Sequence, residues 1–127
     1  MNYTFHSQEP IYLQLAEMIK KKIIRRELEP GDKLPSVRDM AVTAGVNPNT
    51  VQRTYRELEG TKIVESKRGQ GTFVTENEEI LQSVREEMKE KEVSRFVYSM
   101  REMGYSNIEI KAGLEAYLAE RGGINHD

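Results

Sequence analysis

The 127-residue chain has no cysteine, no tryptophan, only two histidines and four prolines. Without cysteine there is no disulfide framework, no thiol nucleophile and no thiolate metal site. His6 and His126 stand near opposite ends with nothing at metal-ligand spacing beside them, so neither a metal nor another cofactor is expected. No apolar run approaches the roughly 20 residues of a membrane span, and no signal-peptide pattern opens the chain. The expectation is a cytoplasmic protein without membrane contact. Internal repeats and low-complexity segments are absent. So are a nucleophile–base pair, a paired-carboxylate motif and a phosphate loop. Gly69-Gln70-Gly71 is no dinucleotide fingerprint, because a strand and not a helix is expected after it. Catalysis is therefore not expected.

An excess of positive charge is missing too. The formal net charge of −2 argues by itself against a nucleic-acid binder. Its distribution reverses that argument. Residues 1–75 carry +3 and residues 76–127 carry −5, and such asymmetry points to separate jobs. The acidic part would be repelled by a phosphate backbone and is expected to face away from one. Two domains follow, residues 1–75 and residues 76–127.

What is present centres on Leu34–Val74. Pro35-Ser36 opens a helix, with Ser36 as N-cap and Asp39 three residues on, a weaker relative of the capping box. Val37, Met40, Ala41 and Ala44 form its apolar face, and Gly45 suits the left-handed stop. Asn47 is the next N-cap, Pro48 occupies the first helical position, and Val51, Tyr55 and Leu58 make a buried stripe that Gly60 ends. Outward on this second helix stand Asn49, Thr50, Gln52, Arg53 and Arg56, with no acid before Glu57. Asn, Gln and Arg can pair with base edges when the start of a helix enters the major groove. A solvated face usually mixes acids in, which favours the groove reading. Then Ile63-Val64 and Thr72-Phe73-Val74 read as strands around Lys67-Arg68-Gly69-Gln70-Gly71, a basic glycine turn. Lys67 and Arg68 suit phosphates, and Arg68 the minor groove. Helix, turn, helix and hairpin in this order make a winged helix-turn-helix.

Upstream, residues 1–9 form an extended arm. Pro10 starts a helix at its first position, with Ile11, Leu15, Ile19 and Ile23 every four residues, running to about Arg26. Its basic end, Lys20 to Arg26, suits a helix C-terminus. Pro30-Gly31 breaks the chain, and Lys33-Leu34 form a short strand beside the hairpin. The expected core is Leu15, Ile19, Ile23, Leu34, Val37, Met40, Ala41, Val46, Val51, Tyr55, Leu58, Ile63 and Phe73.

Downstream, Glu76, Glu78 and Glu79 begin one long helix to about Met103, whose apolar face shifts between Ile80-Leu81-Val84-Met88 and Val93-Phe96-Val97-Met100-Met103. Two separate helices are the alternative. Gly104 stops it, Ser106 and Glu109 form a capping box, and a last helix runs to about Arg121 with Ile110, Leu114, Tyr117 and Leu118 inward. Gly122-Gly123 ends it. A helical hairpin this thin cannot hide its own apolar stripes, so a homodimer is expected through Leu81, Val84, Met88, Phe96, Val97, Met100, Leu114, Tyr117 and Leu118. Phe96, Tyr98, Met100, Met103, Tyr105 and Tyr117 read as dimer core in preference to the lining of a small-molecule effector pocket, and nothing names an effector. A two-fold dimer matches a palindromic DNA site. The overall class is mainly α with a small β-hairpin: a winged helix-turn-helix followed by a C-terminal helical hairpin.

The stretch from Pro10 to Val74 resembles the DNA-binding domain of the GntR family of bacterial transcription factors, through PIYLQLAEMIKKKI, LEPGDKLPSVRDMA, GVNPNTVQRTYRELE and GQGTFV. The short two-helix extension resembles the YtrA subfamily. That resemblance implies a dimeric repressor of double-stranded operator DNA, often of a transporter operon. It implies that Arg38 touches phosphate and groove, that Asn47, Asn49, Thr50 and Gln52 occupy DNA-contacting helix positions, and that Arg68-Gly69 is the wing tip. With the residues read directly, the expected DNA-binding set is Ser36, Arg38, Asn47, Asn49, Thr50, Gln52, Arg53, Arg56, Lys67, Arg68 and Gly69. The chain departs where many members carry Ser-Arg-Thr-Thr: it has Asn47-Pro48-Asn49-Thr50, and Gln52 replaces a common Arg. A different operator preference follows. The competing reading is a winged-helix module for protein or RNA, with the acidic hairpin as its arm. It is disfavoured because a protein-binding face should show aromatic anchors where residues 47–56 show polar ones.

Overall fold

The structure, a computed structural model, describes residues 3–6 and 8–121. Gly122-Gly123 and His126 lie outside the described residues. The elements are α1 (Ile11–Ile24), α2 (Val37–Ala44), α3 (Pro48–Gly60), β1 (Val64–Lys67), β2 (Gly71–Val74), α4 (Glu78–Glu102) and α5 (Asn107–Glu120). The chain divides into two compact units, Met1–Arg85 and Glu86–Asp127, and α4 contributes to both.

In the first unit α3 packs on both α1 and α2, and β1 follows directly from it. Leu15, Ile19 and Ile23 of α1 meet Leu34, Met40, Ala41, Val51, Tyr55, Leu58 and Ile63 in a single core. Three expected members, Val37, Val46 and Phe73, are only half-buried. The reason for Phe73 is register. Val64 pairs with Val74 and Glu65 with Phe73, so alternation sends Val64 and Val74 inward and Phe73 to the other face. The expected short strand is present as a bridge between Lys33 and Phe73. Leu34 N–H donates to Thr72 O at 2.8 Å, and Val74 N–H to Asp32 O at 2.8 Å. This gives the two-stranded wing a third, partial edge.

Helix ends follow the local chemistry with two shifts from the sequence reading. α1 takes Pro10 as its N-cap and stops at Ile24. Arg26 turns left-handed at φ 66°, and Glu27 N–H closes back on Lys22 O at 2.9 Å. α3 keeps Gly60 as its last helical residue, and Lys62 takes the left-handed position at φ 67°. Gly45 ends α2 at φ 69° as expected. The N-terminal arm is pinned by the buried Gln14. Its Oε1 accepts from His6 N–H at 3.0 Å, while its amide donates to His6 O and Glu9 O, both at 2.7 Å.

Residues 78–102 form one uninterrupted helix. Gly104, at φ 91°, ends it: Gly104 N–H donates to Arg101 O at 2.9 Å and Tyr105 N–H to Met100 O at 3.1 Å. Both halves of the Ser106–Glu109 capping box form, at 3.2 and 3.0 Å. Among the described residues of the second unit only Ile110 is buried; Leu114, Tyr117 and Leu118, expected inward, are 46%, 57% and 57% exposed. Among the described residues their apolar stripe is left about half uncovered.

Candidate nucleic-acid interface

The second helix of the helix-turn-helix is set by its own first residues. Asn47 Oδ1 accepts from Asn49 N–H at 2.7 Å, and Pro48 supplies a first position that needs no donor. The cap leaves the Asn47 amide NH2 free to donate outward. Val51, Thr54, Tyr55 and Leu58 face the core, so helical periodicity forces Asn49, Gln52, Arg53 and Arg56 into solvent, with Thr50 partly covered. Two hydroxyls lock this rotation. Thr54 Oγ1 lies 3.1 Å from Tyr12 O and 2.9 Å from Thr50 O. Tyr55 donates to Pro35 O at 2.7 Å, tying α3 to the entry of α2. Burial pushes the Tyr55 phenol far above its ordinary range, with Tyr3 reinforcing the shift, so it stays a donor.

That tie places the start of α2 next to α3. Ser36 Oγ caps α2 by accepting from Asp39 N–H at 3.1 Å, and its hydroxyl proton remains available to a phosphate. Arg38, one turn residue further, is exposed. The wing supplies the remaining cations. Gly69 at φ 75° and the Gln70 N–H to Lys67 O bond of 2.8 Å form a tight turn of the type that needs glycine at its third place. Arg68 projects from its tip, exposed, and Lys67 Nζ sits 4.8 Å from the centre of the Phe73 ring.

Four of the cations outside this surface are ion-paired: Arg25, Arg26, Lys89 and Arg95 each meet a carboxylate. Among the described residues no ion pair is formed by Arg38, Arg53, Arg56, Lys67 or Arg68. An exposed cation costs little to leave unpaired, and one kept clear of carboxylates retains its full attraction for phosphate.

Every residue of the expected DNA-binding set lies in the first unit, on the start of α2, the outer face of α3 or the wing. The apolar set divides differently. Leu81 and Val84 are already buried within the first unit, where Leu81 lines a small cavity with Ile23 and Ile24. Phe96, Leu114, Tyr117 and Leu118 of the second unit are exposed, and Met88, Val97 and Met100 half-buried. Three residues missed by the sequence reading belong beside the interface. Tyr12 lies under the Arg53 guanidinium at 4.0 Å. Lys33 lies along the wing, where a Cβ on Gly71 would come within 2.7 Å of its side chain. Phe73 lies under Lys67. For Tyr12 the signal in the sequence is its place off the apolar stripe of α1; Lys33 and Phe73 carry none.

A helix with a polar, acid-poor outer face, braced by a second helix and followed by a basic wing, defines a winged helix-turn-helix DNA-binding domain. Residues 11–74 match the model of the bacterial regulatory proteins of the gntR family. The chain is 46% identical to the HTH-type transcriptional regulator YhcF of Bacillus subtilis (strain 168), over 92% of this chain and 97% of that one. It is also 46% identical to the HTH-type transcriptional repressor YtrA of the same organism, over 56% of this chain and 55% of YtrA. A GntR family transcriptional regulator from Listeria monocytogenes superposes with a TM-score of 0.83 at 34% identity, covering 88% of this chain and 98% of that one. The AraR DNA-binding domain, solved in complex with operator ORX1, gives a TM-score of 0.53 at 26% identity, over 57% of this chain and 93% of that one. The chain belongs to the GntR family of bacterial regulatory proteins: it is a transcriptional regulator with a helix-turn-helix DNA-binding domain and not an enzyme.

Proposed function

We propose that the protein is a homodimeric, cytoplasmic repressor that binds a palindromic operator, with residues 1–75 on DNA and residues 76–127 joining the two copies. The observation that carries this reading is the split between surfaces. Unpaired cations and amide side chains gather on α2, α3 and the wing, while unpartnered apolar side chains gather on the second unit. Asn49 and Gln52 read base edges in the major groove, with Asn47, Thr50, Arg53 and Arg56 around them. Ser36, Arg38, Lys67, Arg68 and the Gly69 backbone hold the phosphates and the neighbouring minor groove. Phe96, Leu114, Tyr117 and Leu118, with Met88, Val97 and Met100, supply the contact between copies. Leu81 and Val84 brace α4 inside the first unit and are left out of that contact. The repressor name of YtrA supports repression. The resemblance of the short extension to the YtrA subfamily carries the further expectation that the controlled operon encodes a transporter. No effector is required by this reading.

The test is sedimentation of the protein alone and on a duplex carrying its site. Two chains in both states support the proposal. A monomer that binds one half-site with full affinity contradicts it.

A further inference from the structure

Arg53, on the outer face of α3, rests its side chain on another helix. Its guanidinium carbon lies 4.0 Å from the centre of the Tyr12 ring, in the first turns of α1. The main chain at Tyr12 is tied to α3: its carbonyl lies 3.1 Å from Thr54 Oγ1, one residue along α3 from Arg53. Tyr12, Arg53, Arg56 and Glu57 line a shallow depression open to solvent. Among the described residues no carboxylate pairs with Arg53, although Glu57 is near. A ring face attracts a guanidinium and leaves its N–H edges unspent. A carboxylate in that place would occupy those donors.

We propose that Tyr12 is a positioning residue for DNA binding, a platform that holds the Arg53 guanidinium flat and aimed outward so that it meets a phosphate or base edge already ordered. The inference rests on the DNA-facing role of α3. Arginine loses much rotamer freedom when it binds, and stacking removes part of that loss in the free protein. The ring does not touch DNA in this account, so its hydroxyl is dispensable and its planar face is not.

The experiment is a double-mutant cycle read by titration of a labelled duplex, the site that the unaltered protein selects from random sequence. Arg53→Ala is expected to weaken binding about tenfold or more. Tyr12→Leu is expected to weaken it by about three- to tenfold, and Tyr12→Phe to bind within about twofold of the unaltered protein. Tyr12→Leu combined with Arg53→Ala should bind no worse than Arg53→Ala alone. A platform acts only through Arg53, whereas a merely structural loss would weaken binding in both backgrounds. Multiplying effects, or a Tyr12→Phe variant as weak as Tyr12→Leu, overturn the proposal. If Tyr12→Leu fails to fold, the NMR spectrum of the unaltered free protein decides: Arg53 side-chain protons should be shifted upfield by the ring, and unshifted protons overturn the stack. Arg53→Ala binding at full strength, or no selected site at all, overturns the DNA-facing reading of α3 and this inference with it. Weakened Arg53→Ala with unaffected Tyr12→Leu overturns the inference alone.

Discussion

At the scale of single residues, the proposed interface leaves its arginines and Lys67 without an ion pair among the described residues, while its caps leave donors to spare. Arg68 is exposed at a tight turn and unpaired among the described residues. Changing Arg68 to Ala should weaken binding to every duplex alike and lower the slope of log affinity against log salt by about 1. An unchanged slope would remove the wing tip from the phosphates. Tyr55 makes a different prediction, about stability. Its phenol is the partner of Pro35 O, so Tyr55→Phe should cost about 1 kcal/mol in urea unfolding while leaving the ring packed. A cost near zero would mean that water replaces the bond without loss. The caps at Ser36, Asn47 and Ser106 were legible in the sequence because each depends on one side chain and the next three residues. The rings under Arg53 and Lys67 were not, because each stack joins residues distant in sequence or across the wing.

At the scale of elements, periodicity explains what was legible and what was not. The stripes of α1 and α3 are regular: Leu15, Ile19, Ile23, Val51, Tyr55 and Leu58 are buried as expected, whereas Ile11, at the start of α1, is exposed and the polar Gln14 and Thr54 join the buried faces. Phe73 and Val74 differ by one residue in a strand, and hydrophobicity alone cannot choose between them; pairing with β1 does. Helix stops were less legible where a non-glycine residue turns left-handed. Lys62 sits at φ 67° two residues past Gly60, exposed. Lys62→Gly should stabilise the protein by about 1 kcal/mol, since an L side chain is strained there. A loss of stability on denaturation would show that the Lys62 side chain makes a contact worth more than the strain. The sequence pattern predicts α4 as one helix with a slipping face, and it is one helix. The slip has a cause in the fold: Leu81 and Val84 serve the first unit, and the side chains from Val93 onward belong to the second.

At the scale of the whole molecule, charge and apolar surface divide the labour. In the proposed function the basic residues of the first unit take the phosphates and the acidic, apolar-striped second unit takes self-association. Phe96→Glu or Leu114→Glu should give monomers in sedimentation and weaken binding to a two-half-site duplex at least tenfold, because linkage of two half-sites is lost. A dimer that survives both changes would place the contact elsewhere. The measurement that tests the central claim most directly is selection of sites from a random duplex library with the purified protein. The account predicts an enriched inverted repeat, with half-sites about one helical turn or a multiple of it apart, whose bases change when Asn49 or Gln52 is replaced. Salt-sensitive binding without any enriched sequence would contradict it.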